Sequence, residues 1–205
     1  MKHGTAGERA GTPRASVLLA CALLTATAPG LVQADEQQDW FVHAYAARFT
    51  HKPFLDTLRL QADMDDSWLT AAGVGHRFAD PAPHLQLEWE LQAAQHSGLQ
   101  HHSEFNALGI VRIHRFAWDT TLRNSVAFGL GVSYAATEPM LEKTYGNTER
   151  TLVYMLFEVT AAAPHAPDWN LFLRIHHRSG AFGLVADDVD GSNFIGLGLR
   201  HHFRW

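Results

Sequence analysis

From about residue 40 onward, apolar and polar residues alternate one for one in stretches separated by polar or Gly/Pro-containing segments. A period of two is that of a β-strand whose faces meet different surroundings. The pattern predicts eight strands, at about 40–49, 67–78, 84–95, 103–115, 122–135, 150–162, 169–179 and 192–205. In the third, Leu85, Leu87, Trp89 and Leu91 oppose Gln86, Glu88, Glu90 and Gln92. In the fifth, Val126, Phe128, Leu130, Val132 and Tyr134 oppose Ser125, Ala127, Gly129, Gly131 and Ser133. The seventh sets Trp169, Leu171, Leu173, Ile175, His177 and Ser179 against Asn170, Phe172, Arg174, His176 and Arg178. Its first row is apolar until it ends on a histidine and a serine.

A soluble antiparallel sandwich alternates in the same way, with its apolar face inward. Three features favour a membrane barrel instead. Tight connections (79–83, 116–121, 163–168) alternate with longer ones (50–66, 96–102, 136–149, 180–191), as short periplasmic turns alternate with external loops. The last strand ends on an aromatic residue, Trp205, which resembles the C-terminal assembly signal of such barrels. The polar rows also carry formal charge, at Glu88, Glu90, Arg112, Glu158, Arg174 and Arg200, more than an inside-out soluble core would need. The expected fold is all-β, an eight-stranded antiparallel transmembrane β-barrel of the outer membrane. A soluble lipocalin-like carrier is the competing architecture.

Eight strands enclose only enough space for their own side chains. The inward charges therefore need one another, and counting along the hairpin around 163–168 places Glu158 opposite Arg174. An ion-paired plug follows, not a pore. Within 54–62, Leu58, Leu60 and Ala62 alternate with polar residues, but a ninth strand would break the even count. That segment is read as an extension within the first external loop.

The N-terminus changes the cellular picture. Lys2, Arg9 and Arg14 precede the apolar stretch 15–28, and Val32-Gln33-Ala34 offers a signal-peptidase site. Residues 1–34 are expected to be a signal peptide and 35–205 the barrel domain; the apolar stretch is too short to span a bilayer. A weaker alternative is a lipoprotein box at Leu18-Leu19-Ala20-Cys21. Cleavage after Ala34 removes Cys21, the only cysteine, and so all thiol chemistry. It also removes Lys2, Glu8, Arg9 and Arg14, taking the net charge from −5 to −7, which argues against nucleic acid as a partner. A homodimer is compatible with the pattern, and no residue calls for a cofactor.

With odd-numbered strands running outward, His177 and Ser179 lie on the lipid side at the outer end of strand seven. A base and a nucleophile two residues apart on one face can act together on an ester. This His177-Arg178-Ser179 motif, followed by a loop and a final strand containing Gly198-Leu199-Arg200-His201-His202-Phe203, resembles that of the outer-membrane lipid A 3-O-deacylases (PagL-type). The likeness is best over 150–205. It implies hydrolysis of the ester-linked 3-hydroxyacyl chain of lipid A, with lipopolysaccharide as substrate, Ser179 as nucleophile and His177 as general base. Backbone N–H groups around Gly180, Ala181 and Gly183 are candidates for the oxyanion hole. Two departures stand out: the family has Asn where this chain has Gly180, and a Glu about a dozen residues after the serine where this chain has Asp187-Asp188-Val189-Asp190-Gly191-Ser192-Asn193. Across the hairpin Asn193 falls opposite His177 and Asp190 near Ser179. Either can hold the imidazole, Asp190 having the added ability to stabilise its protonated form.

Other readings weigh against these. A histidine and serine at a strand end can be plain interfacial residues, and a small structural or adhesive barrel working through its loops is the non-enzymatic alternative. The His-His pairs at 101–102, 176–177 and 201–202 suggest metal, but neighbours on a strand face opposite ways, so no pair closes on one ion and no metal is expected. Asp187, Asp188 and Asp190 offer calcium ligands, with a solvated loop the simpler reading.

Overall fold

The structure, a computed structural model, describes residues 39–180 and 191–204, the side chains of Asp39 and Arg204 excepted. The expected signal peptide therefore lies outside the described residues. Strands β1 (Asp39–Thr50), β2 (Met64–Ala82), β3 (Leu85–Gly98), β4 (Ser103–His114), β5 (Arg123–Ala135), β6 (Thr151–Ala162), β7 (Trp169–Ser179) and β8 (Ser192–Arg204) pair antiparallel in sequence order. β8 returns to β1, closing the barrel and leaving no sheet edge.

Two connections differ from expectation. β2 runs on to Ala82 through irregularities at Arg77/Ala79 and Ala79/Ala82, so its turn to β3 is only 83–84. β3 also continues to Gly98, whose φ of +90° turns the chain, and the second external loop shrinks to 99–102. The first external loop contains a short helix, α1 (Phe54–Leu58), and no strand. Pro53 is its N-cap, and the Pro53 carbonyl accepts from the N–H groups of Asp56 and Thr57. The third external loop carries α2 (Met140–Tyr145).

The outward rows form an apolar belt, with Val111, Val126, Leu130, Val159, Leu171 and Leu197 all exposed. Rings flank the belt. Trp40, Trp89, Trp169 and His201 cluster near the short-turn end, with Trp169 stacked on His201 at 4.4 Å. Trp68, Phe105 and Tyr134 lie toward the loop end. An apolar band between two aromatic girdles suits a bilayer.

The interior is polar and filled. Glu158 pairs in register with Arg174, as the alternation predicts, at 2.6 Å. Arg174 also holds Glu90 at 2.8 Å, Arg112 holds Glu88 at 2.7 Å and Glu158 at 2.9 Å, and Arg200 reaches Glu158 at 2.9 Å. Three carboxylates and three guanidiniums thus balance across the barrel's middle. Space for them comes from inward glycines. A Cβ on Gly198 would lie 2.4 Å from both Phe172 and Tyr45, the rings that flank Arg174.

Candidate active site

Strand β7 places its two faces in different worlds. His176 and Arg178 point inward, where His176 meets Glu104 at 2.9 Å and Tyr45 Oη at 2.8 Å, and Arg178 meets Glu142 of α2 at 3.2 Å. His177 and Ser179, one step out of phase, belong to the outward row at the loop end. The register sets a lateral row on the outer surface, Thr50 of β1, Asn193 of β8, His177 of β7 and Met155 of β6.

Within that row His177 Nδ1 and Asn193 Oδ1 are 2.7 Å apart. The amide's direction is fixed from its other end, where Asn193 Nδ2 donates to the Lys52 carbonyl at 3.0 Å. An amide oxygen only accepts, so His177 Nδ1 carries the proton and Nε2 is left with a lone pair. That is the tautomer a general base needs. The bond crosses the β7–β8 pair, so sheet register brings the two side chains together, and the loop carbonyl of Lys52 sets the amide's direction.

Outward does not mean lipid-exposed here. The first external loop folds down over the row. Phe54 packs its ring on His177 at 4.5 Å and on outward-facing Phe157 at 5.3 Å. His177 is left 4 % exposed and Asn193 6 %, while Ser179 is half-buried. Sequence reasoning missed this cover, because the role of Phe54 depends on where a loop lands.

Of the other expected site residues, Gly180 follows β7 directly and is buried. Ala181, Gly183 and Asp190 lie outside the described residues, as do the aspartates considered for calcium. Of the two residues expected to orient the imidazole, Asn193 is described and hydrogen-bonds it. The His-His pairs split across the wall as the alternation requires. His201 stacks on Trp169 outside, while His202 sits inside, 5.6 Å from Phe41.

No protein-family model matches the chain, and no curated protein matches it in sequence. Solved structures do. The barrel is similar to the outer membrane enzyme PagL, at 10 % identity and a TM-score of 0.54, over 78 % of this chain and 98 % of that one. It is also similar to Neisserial surface protein A, at 10 % identity and 0.48, over 80 % and 97 %. The N-terminal barrel domain of Pseudomonas aeruginosa OprF gives 12 % and 0.47, over 82 % and 98 %. At such identities the likeness is one of fold. This chain has the fold of an outer-membrane β-barrel, and its apolar belt is the surface such a barrel offers to lipid.

Proposed function

We propose that this barrel is a lipid ester hydrolase of the outer leaflet, a lipid A 3-O-deacylase in which Ser179 attacks and His177 serves as general base. The observation that carries the reading is the 2.7 Å bond from His177 Nδ1 to an Asn193 amide that is itself fixed by the Lys52 carbonyl. It orients an imidazole on the outer surface, with a serine two residues along the same row.

In this scheme His177 Nε2 takes the Ser179 hydroxyl proton as Oγ adds to the ester carbonyl. The tetrahedral intermediate collapses to an acyl-enzyme, and the imidazolium returns its proton to the departing sugar oxygen. Water, deprotonated in turn by His177, then releases the fatty acid and restores the serine. Asn193 holds the ring through both half-reactions, a role an amide fills in some triads. Backbone N–H groups at and beyond Gly180 would receive the oxyanion. The neighbouring apolar wall, with Phe157 and the exposed Leu55 and Leu58 of α1, gives an acyl chain a surface to lie on.

The rival is a non-enzymatic small barrel, and one observation favours it: His177 is nearly enclosed by Phe54 and Asn193. Lipid A profiling by mass spectrometry separates the two. Cells expressing the protein should lose a 3-hydroxyacyl chain, and Ser179→Ala or His177→Ala should each abolish that loss while leaving the barrel folded. Unchanged lipid A with the wild-type protein, or undiminished deacylation in either variant, overturns the proposal.

A further inference from the structure

A second constellation lies inside the barrel, under the second external loop. The alternation that sends Glu88, Glu90 and Gln92 inward carries on to His96, and the inward row of β4 starts at Glu104. Loop 99–102 brings His102 back over them, with the His96 N–H bonded to the His102 carbonyl at 2.9 Å. The two imidazoles stack with centroids 4.0 Å apart and planes 12° from parallel. His96 Nε2 lies 2.9 Å from Glu104 Oε2, and donor atoms of His96, His102 and Glu104 all fall within 4.8 Å of one another.

Two atoms in this cluster have no hydrogen-bond partner, His102 Nε2 and Glu104 Oε1. His102 is 6 % exposed, and its buried Nε2 has no hydrogen-bond partner. A buried polar atom without a partner is costly, so a buried histidine in that state needs an explanation. Two imidazoles and a carboxylate converging on one point provide one.

We infer that His96, His102 and Glu104 form a binding site for a divalent transition metal, Zn²⁺ being the ion their ligand chemistry suits best. The inference is independent of the esterase reading, because these groups face the lumen. Tetrahedral ligation puts donor atoms about 3.3 Å apart, so a modest turn of the His102 side chain completes the set. That turn is available, since His102 sits on a four-residue loop whose Leu99 and His101 are exposed. The surrounding charges are Arg178, 3.7 Å from Glu104, and Glu142, which holds Arg178 at 3.2 Å. The site is therefore not cationic before metal enters. His176 Nε2 lies 2.9 Å from the other oxygen of Glu104. Gln100 Nε2 now meets His96 Nδ1 at 3.0 Å. With metal on Nε2, that nitrogen carries a proton, and Gln100 must present its oxygen, giving up a long 3.4 Å bond from the Leu141 N–H.

The test uses the full barrel, folded in detergent, stripped with chelator, loaded with Zn²⁺ and desalted. Elemental mass spectrometry should find a single equivalent retained, and Co²⁺ in its place should give the intense visible absorption of four-coordinate cobalt. His102→Ala, a loop substitution, should lose the bound equivalent with its β-sheet circular dichroism intact. If that variant fails to fold, the Co²⁺ spectrum of the wild-type protein decides alone. No retained metal, the pale spectrum of six-coordinate cobalt, or undiminished binding in folded His102→Ala overturns the inference.

Discussion

If Asn193 orients the catalytic base, Asn193→Ala should slow turnover by an amount that follows from the burial of His177. The substitution removes the acceptor from Nδ1–H and puts a methyl group in its place. With His177 only 4 % exposed, water has little access to the orphaned N–H. An unsatisfied buried donor costs about 1–3 kcal/mol, and the ring escapes that cost by rotating or by moving its proton to Nε2. Both escapes take the lone pair away from Ser179. The competent arrangement is then depleted about 5- to 150-fold, and kcat should fall by that factor. KM should hardly change, since in the proposed scheme the amide touches imidazole and not lipid. Asn193→Asp retains an acceptor facing Nδ1–H and should keep kcat within about threefold, although it loses the donor to Lys52. The assay is release of 3-hydroxy fatty acid from lipid A in mixed micelles, with initial rates over a range of substrate concentrations. Undiminished kcat in Asn193→Ala, alongside an inactive Ser179→Ala, would refute the role of Asn193. Equal losses in the Ala and Asp variants would mean the amide matters through Lys52 and not through His177.

Two further outcomes concern the scaffold. Arg174→Met leaves Glu90 and Glu158 facing each other in a buried lattice, so it should destabilise the barrel by about 3–5 kcal/mol in urea unfolding, and adding Glu158→Gln should recover part of that loss; a variant as stable as wild type would show the lattice to be energetically idle. Phe54→Ala should free α1 from β6 and β7, and with about half the cost of emptying a fully buried Phe site, near 2 kcal/mol, trypsin should cut after Arg59 roughly 30-fold faster while the barrel stays intact; an unchanged cleavage rate would show that Phe54 does not hold the loop down.

What was legible in the sequence is what a period of two can carry. The wall, its closed antiparallel order, the inward charges and the Glu158–Arg174 pair follow from parity and hairpin counting, because one face of every strand meets hydrocarbon and the other a crowded polar interior. The same counting put Asn193 opposite His177, and the register agrees. Parity has no hold on loops. The alternation of Leu58, Leu60 and Ala62 is incidental to a segment that begins with a helix behind Pro53, and the contact of Phe54 with His177 has no local signal. The histidine cluster is within reach of the same parity, since His96 and His102 continue the inward rows of two neighbouring strands just past their expected ends, whereas adjacent His-His pairs do not point to it. Extending each row by a few residues finds them. The plugging of the outer mouth by Glu142, bonded to Arg178 and Ser192, depends on how α2 lands and is readable only in the folded chain.

The two faces of β7 are one device. The proposed catalytic pair and the inward residues beside it alternate along the same few residues, so whatever fixes His176 and Arg178 also fixes His177 and Ser179. His176 is held between Tyr45 and Glu104, and Arg178 between Glu142 and the carbonyls of Glu149 and Arg150. These contacts reach β1, β4, α2 and the loop that leads into β6, so the outer end of β7 is tied down from inside on several sides. A nucleophile and base carried on a free loop would lack that support, and misplacement by an ångström is costly in a reacting pair. A filled lumen thus has a use beyond excluding water. In a barrel too narrow to conduct, the interior polar network holds the wall still where the outward row meets the leaflet. On this view, changes at Glu142 or Glu104 that leave the barrel folded should still lower the activity proposed for Ser179, although a sheet separates them from the lipid.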